Sequence, residues 1–85
     1  MNLQYSSKAK KQLLSLPKDV QLKILDKMDF YFQQDEPLIF AKTLSNQEPM
    51  THRFRVGKYR ALGIIIKVDN VFLVVKIGLR ASIYD

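Results

Sequence analysis

The chain has 85 residues and a formal net charge of +6, and a chain this short forms one domain, residues 1–85, around a single core. Its apolar fraction of 47% excludes a disordered body, and the absence of Cys excludes a disulfide framework and a cysteine-based zinc site. Since no apolar run reaches membrane length and the N-terminus lacks a signal-peptide pattern, a cytoplasmic location without a membrane partner is expected.

The positive charge is concentrated in the second half of the chain. Residues 1–49 contain seven lysines and six acids, whereas residues 50–85 contain seven basic residues and two acids. All four arginines belong to the second half. Because the planar guanidinium of arginine suits phosphate recognition, this half is the candidate for contact with an anionic partner.

The chain opens with the pattern of a short strand followed by a helix. Leu3 and Tyr5 alternate with polar neighbours, which is typical of a strand. Ser6 or Ser7 can then cap a helix that runs to about Leu16, because a serine oxygen accepts a hydrogen bond from the first turn.

A second helix is predicted to begin at Pro17, since proline is well tolerated at the first helical position. Glu36-Pro37 ends it, and the two helices form a hairpin with an apolar stripe. Residues 37–50 contain two prolines and a polar cluster, so they are predicted to be an irregular connection. The stripe consists of residues at four-residue spacing: Val20, Ile24, Met28 and Phe32.

The rest of the chain predicts three antiparallel strands joined by two hairpins, because β-branched and aromatic residues dominate it. The predicted class is α+β in the order β-α-α-β-β-β, with the N-terminal strand and helical hairpin packed on one face of a small antiparallel sheet. We call the opposite face the open face. The predicted strands are Thr51–Val56, Tyr59–Val68 and Val71–Ile77, separated by Gly57-Lys58 and Asp69-Asn70.

Strand alternation assigns side chains to the two faces of this sheet. In the first of the three strands, Arg53 and Arg55 are predicted on the open face, opposite the side that carries Phe54. In the middle strand the small residues share one side, so Arg60 is assigned to the open face. His52 shares the side of Phe54 and is predicted to face the core.

In the last strand the unbroken apolar set is the better candidate for packing on the helices. This set consists of Val71, Leu73, Val75 and Ile77. Lys76, together with Phe72 and Val74, is therefore predicted on the open face, and the strand is predicted to break at Gly78.

The open face thus combines several cations without an acid among them. Such a group repels itself unless an anion normally sits there, so a solvated basic face is the less favoured alternative. The predicted set is Arg53, Arg55, Arg60, Lys76 and, just past the last strand, Arg80.

The residues from Arg53 to Arg60 read RFRVGKYR, and two strands later the chain reads Ile-Gly-x-Arg-x-x-x-Tyr from Ile77 to Tyr84. This pattern resembles the RelE side of the RelE/ParE toxin superfamily, over nearly the whole chain. The resemblance implies the toxin of a type II toxin–antitoxin system, a ribosome-dependent endoribonuclease that cuts mRNA in the A site. It also implies an acidic, partly disordered antitoxin that wraps the toxin, and it implies no cofactor and no metal.

By position, the resemblance assigns catalytic roles to Arg60, Arg80 and Tyr84. Arg60 would stabilise charge on the phosphorus-centred transition state, and Arg80 would assist the leaving oxygen. Tyr84 would orient the nucleophile or stack on a base, with packing of the tail as its alternative role. His52 is the alternative catalytic base, although its parity favours a structural role. The RNA-binding residues are Arg53, Arg55, Lys58 and Lys76.

Three positions depart from the family pattern. Relatives often carry a bulky aromatic where Gly63 stands, a polar or basic residue where Leu79 stands, and a further basic residue near Ala81. Two other functions stay open: a ParE-like toxin that binds DNA gyrase, and a non-catalytic RNA-binding module. Members of the gyrase-binding type usually lack the full set of arginines and the terminal tyrosine, which favours the ribonuclease.

Overall fold

The computed structural model describes residues 1–84, and Asp85, the last residue of the predicted domain, lies outside the described residues. The predicted α+β class and the order of its main elements are confirmed. The elements are β1 (Asn2–Tyr5), α1 (Ser7–Leu14), α2 (Lys18–Phe32), a 3₁₀ helix (Pro37–Phe40), β2 (Lys42–Thr43), β3 (His52–Val56), β4 (Tyr59–Ile66) and β5 (Val71–Leu79).

The sheet has five strands in the order β1-β5-β4-β3-β2, and it is mixed rather than wholly antiparallel. β1 pairs in parallel with the first half of β5, which is possible because the helical crossover and the other strands intervene between them. β2 adds two residues at the other edge, opposite His52 and Arg53. Residues 37–50 are therefore not wholly irregular, contrary to the prediction. The sequence does not reveal β2, because two polar residues are too few for a readable alternation.

The two helices cover one face of the sheet, as predicted. The Ser6 hydroxyl caps α1 by accepting a hydrogen bond from the Ala9 N–H at 3.1 Å. On α2, Ile24 and Met28 are buried, and the Phe32 ring stacks on the Phe72 ring at 5.7 Å. No helix within residues 1–84 has the length and apolar character needed to cross a membrane.

The predicted faces of β5 are wrong for its first half, because a β-bulge changes the parity. Leu62 pairs with Lys76, but the next residue, Gly63, pairs with Val74, so Val75 is the extra residue. Phe72 and Val74 are thereby turned into the helix-side core, contrary to the prediction.

For Lys76 and Ile77, which follow the bulge, the predicted faces are confirmed. Ile77 packs in the helix-side core, and Lys76, opposite Leu62, lies on the open face. The Ile77 N–H donates to the Gln12 side-chain oxygen of α1 at 2.7 Å, which fixes α1 against this end of β5. The strand does not break at Gly78, which pairs with Arg60, and it continues to Leu79.

Candidate functional site

The structure brings four arginines and one tyrosine together on the open face. Arg55 and Arg60 are direct cross-strand partners on β3 and β4, and Arg53 precedes Arg55 by two residues on the same side. Arg80 follows β5 immediately. We call Arg53, Arg55, Arg60 and Arg80 the cation cluster.

Arg60 is the buried member of the cation cluster. It lies on the predicted face but is only 5% exposed, so the picture of an exposed cation there is wrong. One terminal nitrogen donates to the carbonyl oxygens of Gly57 at 2.8 Å and Tyr59 at 2.9 Å. The buried Nε of Arg60 has no hydrogen-bond partner within residues 1–84. A buried donor of a charged group without an acceptor is costly, which makes this nitrogen a candidate contact for an anion.

The electrostatic surroundings of Arg60 also favour a bound anion. Burial lowers the pKa of its guanidinium, and the nearby charges of Arg55, Arg53 and Arg80 lower that pKa further. The Tyr84 hydroxyl raises the pKa of Arg60. Since like charges are held around a desolvated cation, an anion bound here would relieve both the repulsion and the unsatisfied donor.

The tail after β5 folds back over the open face. The Arg80 N–H donates to the Lys58 carbonyl at 2.8 Å, and the Ile83 N–H donates to the Leu79 carbonyl at 2.9 Å. Ile83 is 3% exposed, and a methyl group added at Gly78 would lie 3.3 Å from it. Ile83 therefore packs near Gly78, the cross-strand partner of Arg60, a role that the alternating strand pattern does not reveal.

Tyr84 lies partly exposed beside Arg53. Its hydroxyl accepts a hydrogen bond from a terminal nitrogen of Arg53 at 2.9 Å, and its side chain is 37% exposed. The neighbouring Ile83 anchors the tail, so the Tyr84 ring is not needed for that purpose. Arg53 thereby connects Tyr84 to the cation cluster.

The remaining predicted RNA-binding residues flank the cation cluster. Lys58 is exposed in the turn between β3 and β4, and with Arg80 it lines an open pocket of about 400 Å³. Lys76 is half-buried on the open face, opposite Leu62 rather than opposite an arginine. Leu79 and Ala81, two of the departures from the family pattern, line the same pocket as Lys58.

His52 lies away from the cation cluster, on the helix-side face as predicted. Its ring approaches the Phe72 ring edge-on at 6.5 Å, and its Nδ1 lies 2.9 Å from the Thr51 hydroxyl. Burial lowers its pKa. Within residues 1–84 no three His, Asp or Glu side chains are grouped closely enough to hold a metal ion.

We expect His52→Gln to weaken the pH dependence of stability. Because the folded-state pKa of His52 lies below its ordinary value of 6.5, the unfolded chain takes up the proton first. The wild-type free energy of unfolding should therefore fall as the pH drops through about 6.5, and the loss should level off below the folded-state pKa. Urea titrations at pH 7.5 and pH 5 measure this. An equal decline in the variant would contradict the structural role.

Two solved structures share this architecture. A chain of the RelBE2 toxin–antitoxin complex from Mycobacterium tuberculosis superposes with a TM-score of 0.76 and 23% sequence identity, covering 93% of this chain and 96% of that chain. A chain of the archaeal RelE–RelB complex from Pyrococcus horikoshii superposes with a TM-score of 0.70 and 24% identity, covering 95% and 96%. The sequence matches no protein-family model and no curated protein. The chain therefore has the RelE fold.

Proposed function

We propose that this chain is the toxin of a type II toxin–antitoxin system and that it cuts mRNA in the ribosomal A site. The observation that carries the proposal is the buried Arg60, whose Nε has no acceptor among the described residues and whose charge is repelled by three further arginines. Such an arrangement stabilises the folded chain poorly but suits a phosphate whose negative charge increases during the reaction.

The cleavage proceeds by attack of the RNA 2′-oxygen on the adjacent phosphorus, with departure of the 5′-oxygen of the next nucleotide. Arg60 faces the extra negative charge on the phosphoryl oxygens, since within residues 1–84 its Nε has no hydrogen-bond acceptor. Arg80, exposed at the end of β5, assists the leaving oxygen. Tyr84, held by Arg53, orients the nucleophilic 2′-hydroxyl or stacks on a base.

The binding of RNA beyond the reacting phosphate falls to the flanking cations. Arg55 is exposed opposite Arg60, and Lys58 stands in the adjacent turn. Lys76 extends the positive surface along β5. Contacts of this kind neutralise neighbouring phosphates, so RNA affinity should fall as the salt concentration rises.

Dependence on the ribosome follows from the groups that the site lacks. The one histidine, His52, lies on the other face of the sheet, so no imidazole can remove the 2′-hydroxyl proton. A site built from guanidinium groups and one phenol is a weak nuclease unless its RNA is already held in a reactive conformation. Translated message in the A site provides that conformation.

The proposed partner is an acidic, partly disordered antitoxin that folds on this surface. The solved structures that share this fold were determined as complexes of RelE with RelB or as a toxin–antitoxin complex. The chain also exposes large apolar side chains on α2 and the 3₁₀ helix, which a wrapping segment would cover. These are Leu22, Phe30, Ile39 and Phe40. A cytoplasmic location and the absence of a cofactor belong to the same proposal.

Primer extension on a defined message in a reconstituted translation reaction tests this function. We expect the wild-type chain to produce discrete cuts only when ribosomes are present. The Arg60→Ala/Arg80→Ala variant should lose cleavage by at least about 10²-fold, since one transition-state donor alone is worth that much. The matched control is Lys10→Ala/Lys11→Ala, which removes two cations from α1.

Equal cutting of naked RNA, or full activity in the double-arginine variant, would contradict the proposal. An intact message with the wild-type chain would also contradict it. An assay of DNA gyrase supercoiling would then distinguish the gyrase-binding alternative from a non-catalytic RNA-binding module.

A further inference from the structure

A second pocket opens beside Tyr84, where β2 ends at the edge of the sheet. Its volume is about 250 Å³, and Lys42, Ser45, Gln47, Arg53 and Tyr84 are among the residues that line it. The pocket shares Arg53 and Tyr84 with the candidate site, but Ser45 and Gln47 belong to the connection between β2 and β3.

This connection is held in a defined conformation. The Leu44 N–H donates to the Thr51 carbonyl at 2.9 Å, which extends the β2–β3 ladder by one pair. The Met50 N–H donates to the Gln47 carbonyl at 2.9 Å. Asn46 takes a left-handed φ of 62°, a conformation that asparagine tolerates better than most residues. The backbone that carries Ser45 and Gln47 is therefore fixed relative to the sheet.

The chemistry of this pocket matches that of a nucleobase. The Tyr84 ring is partly exposed and can stack on a base. The Ser45 hydroxyl and the Gln47 side-chain amide provide hydrogen-bond donors and acceptors for the base edge. Lys42 and Arg53 place positive charge at the rim, where the sugar–phosphate backbone would run. Single-stranded RNA is read by this combination of stacking and edge contacts.

The position of the pocket indicates to which nucleotide of the RNA such a base would belong. Arg53 donates to Tyr84 and also acts electrostatically on Arg60, so the pocket adjoins the cation cluster directly. A base in the pocket must therefore belong to a nucleotide flanking the phosphate that the cation cluster holds. That nucleotide is the one whose identity would determine where the chain cuts.

We propose that Gln47, assisted by Ser45, reads the edge of a base in this pocket next to the scissile phosphate, where the proposed function places Tyr84 as the stacking surface. The inference rests on the proposed function for the nature of the polymer, and it assigns base preference to this chain rather than to the ribosome alone. An amide pairs its donor and acceptor with adenine in two hydrogen bonds, so adenine is the expected preference.

Binding of uncleavable RNA tests the pocket without any catalysis. The isotope-labelled chain is titrated with the four 2′-O-methyl homotrinucleotides, and the ring resonances of Tyr84 and the side-chain amide of Gln47 are followed by NMR. We expect both signals to shift, with adenine bound at least about fivefold more tightly than uracil. Gln47→Ala should abolish the preference, whereas Gln33→Ala, at the exposed C-terminal end of α2, should keep it.

Equal affinity for the four trinucleotides, no measurable binding, or a preference retained in Gln47→Ala would overturn the pocket assignment. Any base preference that Gln47→Ala removes supports it. The primer-extension experiment separates the two proposals. Cuts by the wild-type chain whose sequence preference is unchanged in Gln47→Ala refute the pocket alone, and an intact message refutes the proposed function alone.

Discussion

Arg60→Met should raise the free energy of unfolding by about 1–2 kcal/mol while reducing message cleavage by at least about 10²-fold. Methionine keeps much of the length of the side chain at this buried position. It removes a desolvated charge that Arg55, Arg53 and Arg80 repel, together with the Nε that has no acceptor within residues 1–84. The two hydrogen bonds to the carbonyls of Gly57 and Tyr59 are lost in exchange.

Urea unfolding of the two proteins at pH 7 measures this gain in stability, and the same titrations with added phosphate provide the control. Phosphate should stabilise the wild-type chain more than Arg60→Met, because an ion that binds only the folded state raises its stability, and more so the lower its Kd. A less stable variant that responds equally to phosphate would show that Arg60 is an ordinary structural residue. An opposite change in stability and activity is the signature of a group retained for its reaction.

Gly63→Ala should destabilise the fold by about 3 kcal/mol, through overlap rather than through backbone strain. A β-carbon at Gly63 would overlap the Leu73 carbonyl oxygen and would lie 2.5 Å from the end of the Phe72 ring. The carbonyl belongs to β5 and cannot move without disrupting the sheet. Phe72 thus occupies the space that a side chain at position 63 would need.

Gly57→Ala is the matched control for this prediction. Gly57 has a φ of +59°, and a β-carbon there would meet nothing within 4 Å, so its substitution costs only the left-handed conformation, about 1–2 kcal/mol. Thermal and urea unfolding of both variants should rank Gly63→Ala as the less stable one. The reverse order would mean that β4 and β5 separate easily at the bulge.

The fold was predictable from the sequence because its main signals are local. Four-residue spacing marked α2, a serine marked the start of α1, and turn residues separated the three long strands. The parity of β3 was also readable, since Phe54 is enclosed among aromatic rings while Arg55 is exposed on the other side. The parallel pairing of β1 with β5 was not readable, because it depends on residues about 70 positions apart.

The errors in the candidate site have two physical causes. β5 is apolar at almost every position, so either parity satisfies the core, and only the bulge at Val75 decides between them. The tail that folds back over this part of the face is set by a turn without periodicity, and its Ile83 packs near Gly78, the cross-strand partner of the buried Arg60. The candidate residues and their shared face were readable from the sequence, but the degree to which each one meets solvent was not.

The parallel pairing of β1 with β5 also bears on when the sheet and the cation cluster can form during synthesis. Asn2 lies opposite Val71, so the edge of the sheet stays open until β5 has left the ribosomal tunnel. Arg80 and Tyr84 emerge still later. The cation cluster consequently cannot be complete before β5 and the residues that follow it have been made.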